Sequence, residues 1–518
     1  MSAEGRATEP GSPPDPGQQP ATTAVATEGR TPPHVHSEAG IFAILGQYAV
    51  MQIVWTATGI IRNKIVAFKL GPSAFGEFCQ LQAVMTVAVT LVSFGMMVSV
   101  SRNVARSREP EERQEHLANA NGIVLVLSLA AILMSLTLLA SGQFLRRVGL
   151  SEQPAIVIAA LLFIAAIPLE ALKTNYLALL QGVLDVKGLA VGRSTAVVLA
   201  TVVAVPVVWL FGFVGAAVQF FLLSAFVTVM LGLRCRTIGY APLRVRLRRE
   251  HVLLLASFGL VSMVSGSVQG LADTAVRTNL IEQAGAAANG LLQAPYTLAV
   301  TIKTIVLTSI GSVSLATIAP QTDPRETSRA IDRILNVVLP LGASALGLIG
   351  LMGVPAMVVL YSRAFTTGAV LFPYLLTADL LQVFVWVVGA PLLARGDRML
   401  WLILDLVQYG ARWALAMILM RSLGAYAVVV GYLVSVALHV ALNLVIYRFR
   451  YRLELPMRHI RRLVVGLALV AVVAAVGARP TASIPATAAV ALAWIAYTVQ
   501  HARQSGMLAH LWQRFARR

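Results

Sequence analysis

Polar positions interrupt the apolar pattern of this chain at long intervals, not at every third or fourth residue. From Ile41 onward, runs of mostly apolar residues follow one another with short polar gaps. Their length, about 20 residues, is what an α-helix needs to cross the hydrocarbon core of a bilayer. Fourteen such runs stand at 41–61, 78–100, 117–140, 155–180, 188–210, 212–233, 251–275, 287–310, 335–360, 368–394, 400–420, 424–447, 462–478 and 483–500. The last two are short and rich in Ala and Val, so the pattern predicts twelve membrane helices plus a hairpin, or fourteen helices. Residues 1–38 differ in kind, with Pro, Gly, Thr and Glu abundant and large apolar side chains nearly absent. Such a segment buries too little surface to offset its ordering entropy and is expected to be a disordered tail. The first apolar run starts too far in, and is too long, for a cleaved signal peptide.

Composition sharpens this picture. The AVILMFWYC set makes up 57% of the chain and charged residues 12%, where soluble domains carry about 25% charged residues. A soluble globule is excluded. The 41 Lys and Arg against 23 Asp and Glu give +18, a balance that in a soluble chain would suggest nucleic acid. In a membrane protein it follows from the basic enrichment of cytoplasmic loops, and no nucleic-acid partner is expected. The gaps after even-numbered runs hold RNVARSREPEER, RCRTIGYAPLRVRLRRE, PRETSRAIDR and YRFRYRLELPMRHIRR, whereas those after odd-numbered runs hold only scattered basic residues. The even loops and both termini are therefore expected in the cytoplasm. The resulting division is a tail at 1–38, a six-helix bundle at 39–235, a basic linker at 236–250, a second six-helix bundle at 251–450, a helix pair at 451–502 and a basic tail at 503–518. No gap can house a folded external domain, which argues against glycan polymerases and ligases with large catalytic loops.

Glycines in the loops carry a repeat. Gly71 and Gly76 in LGPSAFGEF correspond to Gly285 and Gly290 in AGAAANGLL, 214 positions on. Gly182 in LLQGVLDVKG corresponds to Gly396 in LLARGDRML, again 214 apart, and Gly215 corresponds to Ala427 at an offset of 212. Six helices per copy make these parallel repeats, with a central cavity between halves. The expected fold is an all-α polytopic membrane protein of two six-helix repeats around that cavity, plus a C-terminal helix pair.

These segments resemble a known family. Arg62 followed by LGPSAFGEF, then a long helix carrying VSFGMMVSVSRNVAR, is similar to polysaccharide exporters of the Wzx type in the multidrug/oligosaccharidyl-lipid/polysaccharide (MOP) flippase superfamily. LLQGVLDVKG, GFVGAAVQFFLLS, GDRMLWLILDLV and GAYAVVVGYLVS extend the resemblance over residues 40–450. AGAAANGLL departs from it, lacking the Pro and the aromatic of the first copy. The resemblance implies a carrier that moves a lipid-pyrophosphate-linked oligosaccharide from inner to outer leaflet for O-antigen, capsule or exopolysaccharide assembly, with polymerase or export machinery as a further partner. A multidrug/cation antiporter of the same superfamily is the alternative, and a membrane glycan polymerase or ligase a third.

Ionisable residues within a bilayer are costly and mark cavities or partners. Run 7 carries Ser262, Gly266, Gln269, Asp273 and Arg277 on one helical face, and run 8 carries Asn289, Gln293, Tyr296 and Lys303. Asp379, Gln382 and Trp386 stand in run 10, and Asp405, Gln408, Tyr409 and Arg412 in run 11. Run 1 offers Gln52, Thr56, Gly59 and Asn63 beside Arg62 and Lys64. The candidate cavity residues are Arg62, Lys64, Gln269, Asp273, Arg277, Gln293, Lys303, Asp379, Asp405 and Arg412, an asymmetric set weighted to the second half. Asp273 with Arg277, and Glu170 with Lys173, stand at i,i+4 and i,i+3, so each couple can neutralise itself within its helix; Glu170 and Lys173 are alternatively gating residues. Lys303 has no acid at helical spacing and is the strongest candidate for a cavity cation. A substrate diphosphate calls for such cations, and Asp273, Asp379 and Asp405 are candidate ligands for a coupling H⁺ or Na⁺.

Enzymatic chemistry is not expected. Gly71-x4-Gly76 is followed by Glu77 and Phe78, so it is no phosphate-binding loop. The eight His and two Cys form no metal-ligand spacing, and no other cofactor is expected.

Overall fold

A computed structural model describes residues 38–318, 321, 323–479 and 484–504. The expected tails at 1–38 and 503–518 fall almost wholly outside the described residues. Two compact units are present, Met1–Ala43 and Ile44–Arg518. The described part of the first, 38–43, is the start of a helix, and everything below concerns the second.

The described residues are helical, with no strand. Lipid offers the backbone no hydrogen-bond partner, so a spanning segment must satisfy its own N–H and C=O groups. In chain order the helices are α1 (Glu38–Ser93), α2 (Met96–Arg106), α3 (Pro110–Ala140), α4 (Phe144–Arg147), α5 (Pro154–Gly182), α6 (Val186–Thr237), α7 (Arg249–Ala284), α8 (Ala286–Ile318) and α9 (Pro324–Leu351). They continue with α10 (Gly353–Leu360), a 3₁₀ turn at Arg363–Leu371, α11 (Phe372–Val388), α12 (Ala390–Ala394), α13 (Arg398–Leu423), α14 (Ala425–Phe449), α15 (Met457–Gly477) and α16 (Ile484–Gln504).

Ten helical stretches among the described residues are long and apolar enough to cross a membrane, or eleven when the bent pair Arg249–Ala256 and Gly259–Ala284 counts as one. The chain is a multi-pass membrane protein. Fewer stretches than the fourteen apolar runs appear because two of them, Met51–Arg106 and Val186–Thr237, are 56 and 52 residues long. A straight helix rises about 1.5 Å per residue, so either would far exceed a core about 30 Å thick. Each contains a glycine outside helical geometry, Gly71 (φ 70, ψ 175) in the first and Gly212 (φ 55, ψ −120) in the second. At Gly212 the chain reverses, since a Cβ on Gly215 would lie 2.3 Å from the Val207 carbonyl oxygen. Of the final apolar run, Ala488–Gln500 in α16 is an apolar helical stretch among the described residues.

The same backbone conformations recur along the chain. Gly285 (φ 82, ψ 163) repeats Gly71 at an offset of 214, and Gly424 (φ 52, ψ −130) repeats Gly212 at 212. Asp185 (φ −78, ψ 61) and Asp397 (φ −74, ψ 59) are likewise matched, and each pairs with an arginine, Arg234 at 2.6 Å and Arg450 at 3.2 Å. One expected anchor needs correction. Gly182 is an ordinary helical residue ending α5, and the left-handed position matching Gly396 (φ 77) is Leu184 (φ 57). The turn, not the glycine, is what the two loops share.

Gly76 and Gly290 meet reciprocally. A Cβ on Gly76 would stand 2.0 Å from the Ala286 carbonyl oxygen, and one on Gly290 would stand 2.0 Å from that of Pro72. Only glycine permits this backbone approach, and the amide of Asn289 seals it by donating to Gly76 O at 2.8 Å.

Between α6 and α7 the linker is bound along α3. Gln114 brackets Ala241, donating to its carbonyl at 3.1 Å and accepting from its N–H at 2.7 Å. Asn121 donates to Pro242 O at 2.8 Å, Arg246 N to Ala118 O at 3.0 Å, and Arg248 N to Asn119 Oδ1 at 2.7 Å. Cys235 is buried within α6. At the other end of the chain α15 packs on α9 and α11, and α16 on α9 and α15.

Candidate functional site

A cavity of about 290 Å³ opens between α1 and α8. Gln52, Trp55, Thr56, Gly59, Arg62 and Asn63 line it from α1, at spacings that keep them on one helical face. Thr297, Thr301 and Thr304 of α8, with Tyr361, face them. Arg62 is 6% exposed and donates from Nη1 to Thr201 Oγ1 of α6 at 2.8 Å. No carboxylate reaches Arg62 among the described residues. A second cation stands close by, with the Arg193 guanidinium 4.0 Å from the centre of the Trp55 ring. A buried guanidinium without an acid is expensive, and hydroxyl and amide groups around it suit an anionic, hydroxylated ligand.

Other expected cavity residues fall elsewhere. Lys64 is exposed, because two residues along a helix turn it away from the face of Arg62. Lys303 is no free cation. Its Nζ bonds Asp379 Oδ1 at 2.7 Å and the Tyr432 hydroxyl at 2.9 Å, and that hydroxyl donates to the same carboxylate oxygen at 2.7 Å. Asp273 and Arg277 do not neutralise each other. Asp273 pairs with Arg412 of α13 at 2.9 Å, while Arg277 donates to the Gln293 amide oxygen and lies 5.6 Å from the centre of the Tyr296 ring. Side chains four apart on a helix can meet, but here a charged partner on a neighbouring helix holds the carboxylate.

The polar face of α7 is thus divided among several neighbours. Gly266 lies under Thr90, whose methyl would be 3.0 Å from an added Cβ, so this part of the face serves close helix packing. Gln269 is exposed. Ser265, off the expected face, donates to Asp405 Oδ2 at 2.5 Å. Asp405 is 6% exposed and meets no cation among the described residues. It lines a second cavity of about 120 Å³ with Gln382, Trp386, Tyr409, His439 and Asn443. There the Gln408 amide donates to Gln382 at 3.2 Å and accepts from His439 Nδ1. In the first half Glu170 and Lys173 do pair, and Ser224 donates to the other oxygen of Glu170 at 2.7 Å.

Buried charge without a charged partner is found in both halves, at Arg62 in the first and at Arg277 and Asp405 in the second. Acids and bases of α8, α11 and α13 largely neutralise one another, and two buried arginines meet only neutral partners among the described residues, Arg62 on α1 and Arg277 on α7. Trp55, Arg193 and Thr201 complete the surroundings of Arg62. The spacing of Arg193 and Thr201, eight apart on one helix, is the signal in the sequence that places them on a common face.

This architecture, with a polar seam between two sets of helices, defines a class of membrane protein. The chain belongs to the polysaccharide biosynthesis protein family, whose pattern matches residues 45–319. Among characterised relatives it is similar to the lipid III flippase of Escherichia coli (strain K12), 23% identical over 404 residues that cover 76% of this chain and 95% of the relative, and equally to that of Shigella flexneri. Two solved structures share the fold. The lipid II flippase MurJ in an inward closed conformation superposes with a TM-score of 0.63 at 13% identity, covering 90% of this chain and 99% of that one. An inward-facing multidrug resistance MATE family transporter of the MOP superfamily superposes with a TM-score of 0.62 at 17% identity, covering 79% and 98%.

Proposed function

We propose that this protein is a flippase that carries a lipid-pyrophosphate-linked oligosaccharide from the inner to the outer leaflet of a bacterial cytoplasmic membrane, for surface polysaccharide assembly. The observation that carries this reading is Arg62, buried without an acid in a cavity lined by Thr, Gln and Asn and bordered by Arg193. A phosphate group supplies the missing anion, and sugar hydroxyls suit the neutral polar groups. The family match and the flippase relatives support it. In this reading residues 39–235 and 251–450 are two parallel halves that alternate access around the seam, with both termini and the basic loops in the cytoplasm. A coupling H⁺ or Na⁺ would bind at Asp405, the buried carboxylate that meets no cation, and a polymerase or export apparatus would receive the product.

Reconstitution tests the proposal. Proteoliposomes are loaded with a fluorescent short-chain lipid-pyrophosphate oligosaccharide, and its outer-leaflet fraction is followed with time. Loss of a buried charge-assisted contact of about 1.5–3 kcal/mol corresponds to roughly 10- to 100-fold slower transport in Arg62→Ala. Arg62→Lys keeps the charge and retains part of the rate. Wild-type transport by the alanine variant would remove the support for an anionic substrate at this seam. Transport of a cationic dye in its place would favour the antiporter reading, which the fold shared with a multidrug transporter keeps in play.

A further inference from the structure

Helices α9 and α15 run parallel in a fixed register. Glu454 N–H meets Ser328 Oγ at 3.0 Å, Arg458 meets Asp332 at 2.5 Å, and Arg462 meets Asn336, each pair 126 residues apart. At the N-terminal end of this pair, where the loop 450–456 crosses the start of α9, lies a cavity of about 670 Å³, wider than the seam between α1 and α8. Arg325, Arg329, Arg452 and Arg458 line it together with Asp323, Asp332 and Glu454.

The acids are mostly engaged. Asp332 is held by Arg458 and His459, and Asp323 accepts from the N–H of Arg325 at the start of α9. Arg325, Arg329 and Arg452 have no ion pair among the described residues and are exposed to the cavity mouth.

Arg452 is also in an unusual backbone state. Its φ is 53°, in the left-handed region where glycine normally ends a helix. The bonds of a helix end surround it, with Tyr451 N–H to Ile446 O at 3.3 Å and Leu453 N–H to Tyr447 O at 3.0 Å. A glycine would fit this turn better. Strain of this sort persists where the surroundings over-determine it and often marks a binding position, and the strained residue here delivers a guanidinium to the cavity. Phe449 and Met457, three residues before Arg452 in the chain and five after it, are large apolar side chains 76% and 70% exposed. Both loops that form the cavity are among the basic ones.

We infer that this cavity binds the phosphate headgroup of an anionic phospholipid, with Arg325, Arg329 and Arg452 as its cationic contacts and Met457 and Phe449 against the acyl region. A pocket of clustered arginines between helices at a basic membrane face matches that chemistry. The inference does not depend on what the seam transports.

The test uses the full chain in neutral detergent, titrated with short-chain phosphatidylglycerol, phosphatidylcholine or inorganic pyrophosphate and read by native mass spectrometry and tryptophan fluorescence. The expected result is phosphatidylglycerol binding at least tenfold tighter than phosphatidylcholine, weakened several-fold by 0.5 M salt. Arg452→Gly removes the guanidinium while relieving the backbone, so it should fold at least as well as wild type and lose at least threefold in phosphatidylglycerol affinity. Arg325→Gln/Arg329→Gln should lose more. Equal binding of the two lipids, or unchanged affinity in both variants, would overturn the inference. Tight pyrophosphate binding with no lipid preference would overturn the lipid assignment in favour of a soluble phosphate.

Discussion

Neutralising Lys303 and Asp379 separately and together tests whether their charges are a structural pair. Asp379 is 1% exposed and the Lys303 side chain 14%, with 2.7 Å between Nζ and Oδ1. At an effective dielectric of 20, the gross attraction at that distance is roughly 6 kcal/mol, and desolvation of the two ions offsets most of it. Loss of one partner is another matter. Lys303→Met strands the Asp379 carboxylate with only the Tyr432 hydroxyl, and Asp379→Asn strands the ammonium; breaking a buried pair in this way costs about 3–5 kcal/mol. The double variant leaves no uncompensated charge, and its cost should fall to about 1–2 kcal/mol, giving a coupling energy of several kcal/mol. Reversible unfolding in mixed micelles, followed by intrinsic tryptophan fluorescence, measures all four proteins. Single variants that each cost less than about 1 kcal/mol, or costs that add within about 0.5 kcal/mol, would refute the pairing.

Further outcomes follow from other contacts. Gly290→Ala drives a Cβ to 2.0 Å from the Pro72 carbonyl oxygen and should cost about 1–3 kcal/mol in the same unfolding assay, whereas Gly410→Ala, with nothing within 4 Å, should be neutral or stabilising. Asn121→Ala removes the donor held by Pro242 O; faster proteolysis within 238–248 is expected, and an unchanged cleavage rate would show that the linker is held otherwise. Asp397 lies between membrane spans, and hydrogen bonds from Tyr451 and Arg450 hold its carboxyl below its ordinary value. A carboxyl depressed in the folded state contributes stability above its unfolded pKa, about 3.9, and loses it as pH falls through the lower folded value. Melting from pH 5 down to 2.5 should therefore show a shallower acid decline in Asp397→Asn than in wild type.

Much of this protein was legible in its sequence. The membrane spans follow from the length of apolar runs, because lipid forces each crossing to be a self-satisfied helix, and Gly71, Gly76, Gly285 and Gly290 stand where the backbone needs them. Even so, the Gly182 anchor misled, since a turn's left-handed position can be filled by a residue such as Leu184. Within the site, Arg62 and the face around Gln52, Thr56 and Asn63 were readable from helical spacing. The partners of the charges were not.

Sequence spacing reports only neighbours on the same helix, three or four residues away. Which way a helix is rotated, and which helix it meets, depends on packing between segments far apart in the chain. The sequence by itself therefore determined the spans, the basic loops and the glycines that turn the chain. Tertiary structure decided that Lys303 answers to Asp379, 76 residues on, and Asp273 to Arg412. It also left Arg62 and Arg277 buried against neutral partners, Thr201 and Gln293.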